Sequence, residues 1–541
     1  MTNRRSFLAA LGAGCALANK SFAQSQPESR ETTPAAGQLF WTTETTSGKV
    51  QGISNSGIAE FKGIPYGAPT GGKNRYMPPR KPAAWTGVRE CLGHGQISPQ
   101  TLASLNSDYA MLIQWDLHVG GMGEDCLSLN VWTPGVNDGA KRAVMVSFHG
   151  GGFATGSGNG PGYDGAQLAK FGDVVVVTVN HRLASFGYLH LADLGAPPEF
   201  AHAGVVGMMD LVASLEWVRD NIEKFGGDPS KVMIFGQSGG GAKTSTMLAM
   251  PSAKGLFHSA GVQSGSTIRS ATRETATRSA EALLAKLGIA KGNIAEIQDV
   301  PWQRILEAQT SLGATASFTP VVDGVVLPHH PFDPAAPPES ADVPVVISTT
   351  LEDAALALTN FDLTEDGLRT MMNERYGAQA EPMLALYRSR YPNKSPFLIQ
   401  AQIATDAGGR RNAMLQGERK SALGKAPAYM YLWAFESAGF GGKFGAVHGT
   451  DVSASFYNFR DGVGGTGSHQ ERALWSRFAG AWVSLAKTAN PNNPKVPNWP
   501  AYDAEKRATM IFDNETRVEN DPRAEIRKFW QDMPAPGARR A

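Results

Sequence analysis

The 541-residue chain has little cysteine and no excess of either charge: three cysteines in all, and 50 Lys plus Arg against 49 Asp plus Glu. Without a basic surplus or a run of like charge, neither nucleic acid nor an anionic membrane surface is an expected partner. No stretch reaches the roughly 18 apolar residues of a membrane span, so no spanning helix is expected. Histidine pairs with zinc-protease spacing and glycine loops with a phosphate-cradle pattern are also missing. No metal or nucleotide cofactor is therefore implied.

What is present begins with an export signal. Met1 to Ala23 has a basic start, an apolar stretch from Phe7 to Ala18, and Ser21-Phe22-Ala23 as a small-x-Ala cleavage site. Arg4-Arg5-Ser6-Phe7-Leu8 resembles the twin-arginine type of signal, which predicts a periplasmic or secreted protein. Residues 24–38 are rich in Ser, Pro, Thr and Glu without apolar periodicity, and read as a flexible leader before one catalytic domain over 39–541. Cys15 leaves with the signal. Cys91 and Cys126 are then either a disulfide closing a loop of about 35 residues or two buried thiols.

Six short β-rich runs, at 127–132, 143–148, 174–179, 232–235, 343–347 and 429–433, alternate with helical patterns such as 210–224. That alternation is α/β organisation. Continuous apolar runs such as Val174-Val175-Val176-Val177 suit strands covered on both faces, as in a mostly parallel sheet.

Two glycine-rich turns carry the chemistry. The strand ending at Phe235 runs into Gly236-Gln237-Ser238-Gly239-Gly240 and then a helix, the setting of a nucleophile elbow with Ser238 at its tip. Small residues beside the serine allow the sharp turn. Upstream, the strand ending at Phe148 leads into His149-Gly150-Gly151-Gly152-Phe153. The amides of Gly151, Gly152 and Gly239 would form an oxyanion hole for a tetrahedral intermediate.

These segments, with Phe61-Lys62-Gly63-Ile64-Pro65-Tyr66, Glu124-Asp125-Cys126-Leu127-Ser128-Leu129-Asn130-Val131-Trp132, Val179-Asn180-His181-Arg182-Leu183 and Gln263-Ser264-Gly265-Ser266, resemble the type-B carboxylesterases across nearly the whole mature chain. That family includes cholinesterases and bacterial para-nitrobenzyl esterases. The resemblance implies an α/β-hydrolase fold and a serine esterase for a small-molecule ester. It also implies a disulfide between Cys91 and Cys126. His448, in Gly445-Ala446-Val447-His448-Gly449-Thr450-Asp451, matches the family's general base. Alignment of the segment from Val343 puts Asp353 at the acid position, where most relatives carry Glu; the neighbouring Glu352 is the alternative.

Two further departures matter. Gln237 stands where relatives carry Glu, which removes a negative charge and suggests uncharged esters. Gly239 replaces the usual Ala. Phe153, Trp115, Phe456 and Tyr457 are candidates for pocket walls, Phe153, Trp115 and Gln237 for substrate contact, and Ser264 for hydrogen-bond support near the triad. Two other functions fit the same fold: a binding or adhesion module, or a lipase acting at an interface.

Overall fold

The computed structural model describes residues 39–102, 106–113, 120–459, 461–464 and 468–533. The expected signal, the leader and Trp115 lie outside the described residues.

Among the described residues thirteen strands form one sheet: β1 (Phe40–Thr45), β2 (Gly48–Asn55), β3 (Ile58–Pro65), β4 (Val88–Glu90), β5 (Ser128–Thr133), β6 (Arg142–Phe148), β7 (Val175–Val179), β8 (Gly227–Gln237), β9 (Ser259–Gln263), β10 (Val345–Thr350), β11 (Ala428–Trp433), β12 (Ala508–Phe512) and β13 (Arg517–Asn520). Their order is β1-β2-β3-β5-β7-β6-β8-β9-β10-β11-β12-β13, with β4 beside β2. From β7 to β12 every neighbouring pair is parallel, whereas both ends of the sheet turn antiparallel. This is the mostly parallel sheet that the apolar runs predicted. Each run lies within or overlaps one of β5, β6, β7, β8, β10 and β11.

The parallel strands are buried on both faces, with helices packed on each side. Val144, Val146, Val175 and Val177 point into one apolar cluster, while Met145, Val176, Met233 and Phe235 point into the other. Alternation along each strand thus feeds two cores. Helix Val206–Asn221 covers the first core and helix His469–Thr488 the second.

The chain passes from β6 to β7 on one side, then to β8 on the other. A parallel sheet opens a crevice at such a reversal, beyond the carboxyl ends of its strands. The segments after β6, β8 and β10 all emerge there.

The structure corrects one expectation. Cys91 and Cys126 are both buried free thiols, not a disulfide. Sequence spacing fixes only the loop that a bond would close, not whether two Cβ atoms face each other at bonding distance. Both side chains pack in the first core, and burial pushes each thiol up to about 12, which keeps them protonated and unreactive.

Candidate active site

Ser238 sits between β8 and helix Gly239–Met247 with φ 59° and ψ −123°, a conformation that costs a non-glycine residue roughly 1–3 kcal/mol. Its N–H donates to the Gln263 carbonyl at 2.8 Å and its carbonyl accepts from Ala242 at 2.9 Å, so the flanking elements hold the strained turn. The turn closes only because its neighbours lack side chains. A Cβ on Gly240 would lie 1.9 Å from the Phe148 carbonyl oxygen, and one on Gly239 would lie 2.1 Å from that of Gly152. The Ala usual in relatives therefore does not fit here unless the glycine loop moves.

That loop follows β6. Gly151 and Gly152 have φ of 83° and 62°, which glycine adopts without strain. Gly150 N–H donates to the Tyr163 hydroxyl at 3.0 Å, Ala184 N–H to the Phe153 carbonyl at 2.7 Å, and Gly156 N–H to Gln100 Oε1 at 2.6 Å. The loop is thus tied at three points. The N–H groups of Gly151, Gly152 and Gly239 donate to no acceptor among the described residues, and Gly239 abuts Gly152.

The acid position follows β10. His448 Nδ1 lies 2.9 Å from Asp353 Oδ1, and the Thr350 hydroxyl donates to the same oxygen at 2.9 Å. Burial alone would raise the Asp353 carboxyl; the His448 charge and the hydrogen bonds to it outweigh burial and hold it below the usual range. Burial would depress His448, but the Asp353 charge and hydrogen bond, helped by Asp451, raise it above its ordinary value. An ionised carboxylate fixes Nδ1 as the donor and leaves Nε2 as the base nitrogen.

Glu352, the alternative acid, is committed elsewhere. Oε1 accepts from Lys394 and Gln402 at 2.7 Å each, and Oε2 accepts from Ala446 N–H at 2.9 Å. With Glu352 N–H donating to the Ala446 carbonyl, it binds the acid loop to the histidine loop. The Tyr109 hydroxyl donates to the His448 carbonyl at 3.0 Å. Ser264 has φ 46° and its hydroxyl helps lower Asp353, without completing a hydrogen bond to it.

Ser238 and His448 face one cavity of about 180 Å³, with Tyr109, Gly150, Gly151, Thr155, Gly156, Ser157, Tyr163 and Leu356 as its walls. Phe153 is not among them: its ring packs edge-on against Tyr188 at 5.4 Å. Gln237 is buried in β8 and is not among the cavity's walls, with neither amide atom partnered among the described residues. Phe456 packs behind Tyr163, and Tyr457 stacks on Phe171 at 4.1 Å. None of these four lines the cavity, because flanking a site in sequence does not set which way a side chain turns. Tyr109, Thr155, Ser157, Tyr163 and Leu356 carry no motif and were not foreseen.

The sequence profile of the carboxylesterase family matches residues 41–530. The chain is similar to the para-nitrobenzyl esterase of Bacillus subtilis (strain 168), 33% identical over 493 residues that cover 90% of this chain and 97% of that protein. It is also similar to the phenmedipham hydrolase of Pseudarthrobacter oxydans, 29% identical over 499 residues that cover 87% of this chain and 94% of that one. Among solved structures, a carboxylesterase of Geobacillus stearothermophilus superposes with a TM-score of 0.77 at 34% identity, covering 91% of this chain and 100% of that one. An esterase from Clostridium hathewayi, described as able to hydrolyse aliphatic aromatic polyesters, superposes at 0.79 with 29% identity, covering 91% and 98%. The chain belongs to the carboxylesterase family, and it is a carboxylic ester hydrolase with the α/β-hydrolase fold.

Proposed function

We propose that the chain hydrolyses small to medium, uncharged carboxylic esters through an acyl-enzyme on Ser238. Ser238 Oγ adds to the ester carbonyl carbon while its proton passes to His448 Nε2. The amides of Gly151, Gly152 and Gly239 receive the negative oxygen. The carbon–oxygen bond to the alcohol then breaks, and His448 returns the proton to the departing alcohol. Water repeats the sequence against the acyl-enzyme, releasing the acid and restoring Ser238. Asp353 holds the His448 ring and stabilises its charged form.

The observation that carries this reading is that the strained Ser238, the His448 held by Asp353, and Gly151 of the glycine loop meet at one cavity. The cavity is smaller than the roughly 300–1,000 Å³ of drug-sized ligand sites, which favours a short acyl group. Among the described residues that line it none is a carboxylate, in keeping with a neutral substrate. The names of the similar proteins, all hydrolases, support the same class of reaction.

For the ends of the chain we propose a twin-arginine export signal over residues 1–23 and a leader over 24–38, which would deliver the catalytic domain over 39–541 to the periplasm or beyond. The support is the basic, apolar and cleavage pattern of the first 23 residues. Sequencing the amino terminus of the exported protein tests it: a start at Gln24 is expected, and retention of Met1 contradicts it.

Turnover of para-nitrophenyl acetate, butyrate and octanoate, beside a Ser238→Ala variant, tests the activity. Acetate and butyrate are expected to turn over faster than octanoate, with the variant inactive. Faster hydrolysis of a choline ester than of an equally sized neutral ester would contradict the substrate class. A rate that jumps above the substrate's solubility limit would point to an interfacial lipase, and a folded wild type inert to every ester would point to a binding module.

A further inference from the structure

Lys243 is the lysine of helix Gly239–Met247, just past Ser238, and its side chain is fully buried. A buried ammonium is costly unless something replaces its hydration, and a carboxylate is the usual partner. Lys243 has none within ion-pair distance among the described residues. Its Nζ donates instead to the carbonyl of His149 at 2.9 Å and to that of Gly152 at 2.9 Å, and it lies 5.7 Å from the centre of the Phe153 ring. One ammonium therefore grips the start, the middle and the end of the glycine loop. The Gly152 carbonyl that it holds is the atom against which Gly239 packs.

We propose that Lys243 is a positioning residue for ester hydrolysis: its ammonium fixes the glycine loop so that the amides of Gly151, Gly152 and Gly239 meet the oxyanion. This rests on the oxyanion-hole reading above. A carbonyl pulled toward a cation sets the plane of its peptide. With its ends anchored on His149 and Gly152, the loop keeps the two amides between them pointing at Ser238, with no rearrangement when charge develops. The interaction is remote from the ester itself, so it acts on the transition state and hardly on substrate affinity.

The charge should matter as well as the donors. The groups around the ammonium are His149 and His181, stacked at 5.1 Å, and beyond them the buried Arg182–Asp210 pair. Burial depresses both imidazoles and the Lys243 charge depresses them further, so both stay neutral. Helix Gly239–Met247 packs on β6, β8, β9 and helix Val206–Asn221, and none of these presents a carboxylate to Lys243 among the described residues. Burial accordingly pulls Lys243 down to about 7. It is charged below that pH and loses its proton above it, so kcat should fall on the alkaline side.

The test compares wild type, Lys243→Met and Ser238→Ala with para-nitrophenyl butyrate, and with a trifluoromethyl ketone that adds to the serine and places an oxyanion in the hole. Lys243→Met is expected to lower kcat roughly 100-fold with KM changed less than about threefold, and to weaken the ketone in the same proportion. Circular dichroism identifies folded protein. A folded Lys243→Met with kcat within about threefold of wild type overturns the proposal, provided Ser238→Ala is inactive. Should Ser238→Ala keep wild-type turnover, the site reading fails instead. Where Lys243→Met does not fold, the wild-type pH profile decides alone. A kcat that declines above neutrality at constant KM supports the proposal, and a kcat flat to about pH 9 overturns it.

Discussion

The two flanks of Ser238 are held by opposite kinds of interaction. On the acid–base side, charges are matched: Asp353 with His448, and Glu352 with Lys394, which also meets Glu436. On the glycine-loop side a buried cation, Lys243, works against neutral carbonyls. The difference suits the tasks. The histidine must gain and lose a proton, so it needs a carboxylate that stabilises its charged form. The oxyanion appears only in the transition state, so its site needs fixed donors and no negative charge that would repel it.

Changing the two neighbouring carboxylates separately would break the comparison most sharply. Asp353→Asn should reduce kcat roughly 10⁴-fold while leaving the fold intact, because the amide no longer fixes the His448 tautomer. Glu352→Gln should do the reverse, leaving kcat within about tenfold but lowering stability by about 1–3 kcal/mol, since buried donors lose their charged acceptor. Steady-state rates and urea unfolding on the same samples measure both effects. Equal losses of rate from the two variants would put Glu352 in the catalytic role.

On the opposite flank, Gly239→Ala is a smaller disturbance. The new Cβ would sit against the Gly152 carbonyl oxygen and push the loop away, with kcat expected to fall roughly 10- to 100-fold at little change in KM. A variant as active as wild type would mean that the loop can retreat, as relatives with Ala require.

The smallest effect is on pH. His448 must be neutral to accept the Ser238 proton, and its pKa is raised by Asp353. The rising limb of kcat/KM should therefore have its midpoint above the ordinary histidine value of about 6.5, and Asp353→Asn should move it down. A midpoint at or below that value in wild type would contradict the ion pair.

The parts of this site that were legible in the sequence are local. Ser238 and the run from His149 to Phe153 each announce themselves within five residues, because a sharp turn needs glycine wherever the chain folds. His448 and Asp353 could be chosen only through resemblance, since pairs 95 residues apart leave no spacing signal. Glu352 with Ala446, Lys243 with His149 and Tyr109 with His448 were invisible for the same reason: their partners are 94, 94 and 339 residues away. The sheet follows the same rule. Its buried centre was readable from apolar runs, but β8 reaches back to Gly227 because Arg142 pairs with that residue, which no apolar pattern reveals. Strands β1, β2, β4 and β13, with one face or both partly exposed, gave no comparable signal.

The most direct test of the account is covalent. The wild-type chain treated with a fluorophosphonate ester should gain one phosphonyl group by intact mass, located to the peptide containing Ser238, with esterase activity lost in step. Ser238→Ala should gain nothing. A folded wild type that stays unlabelled, or a label on another residue that abolishes turnover, would contradict Ser238 as the nucleophile.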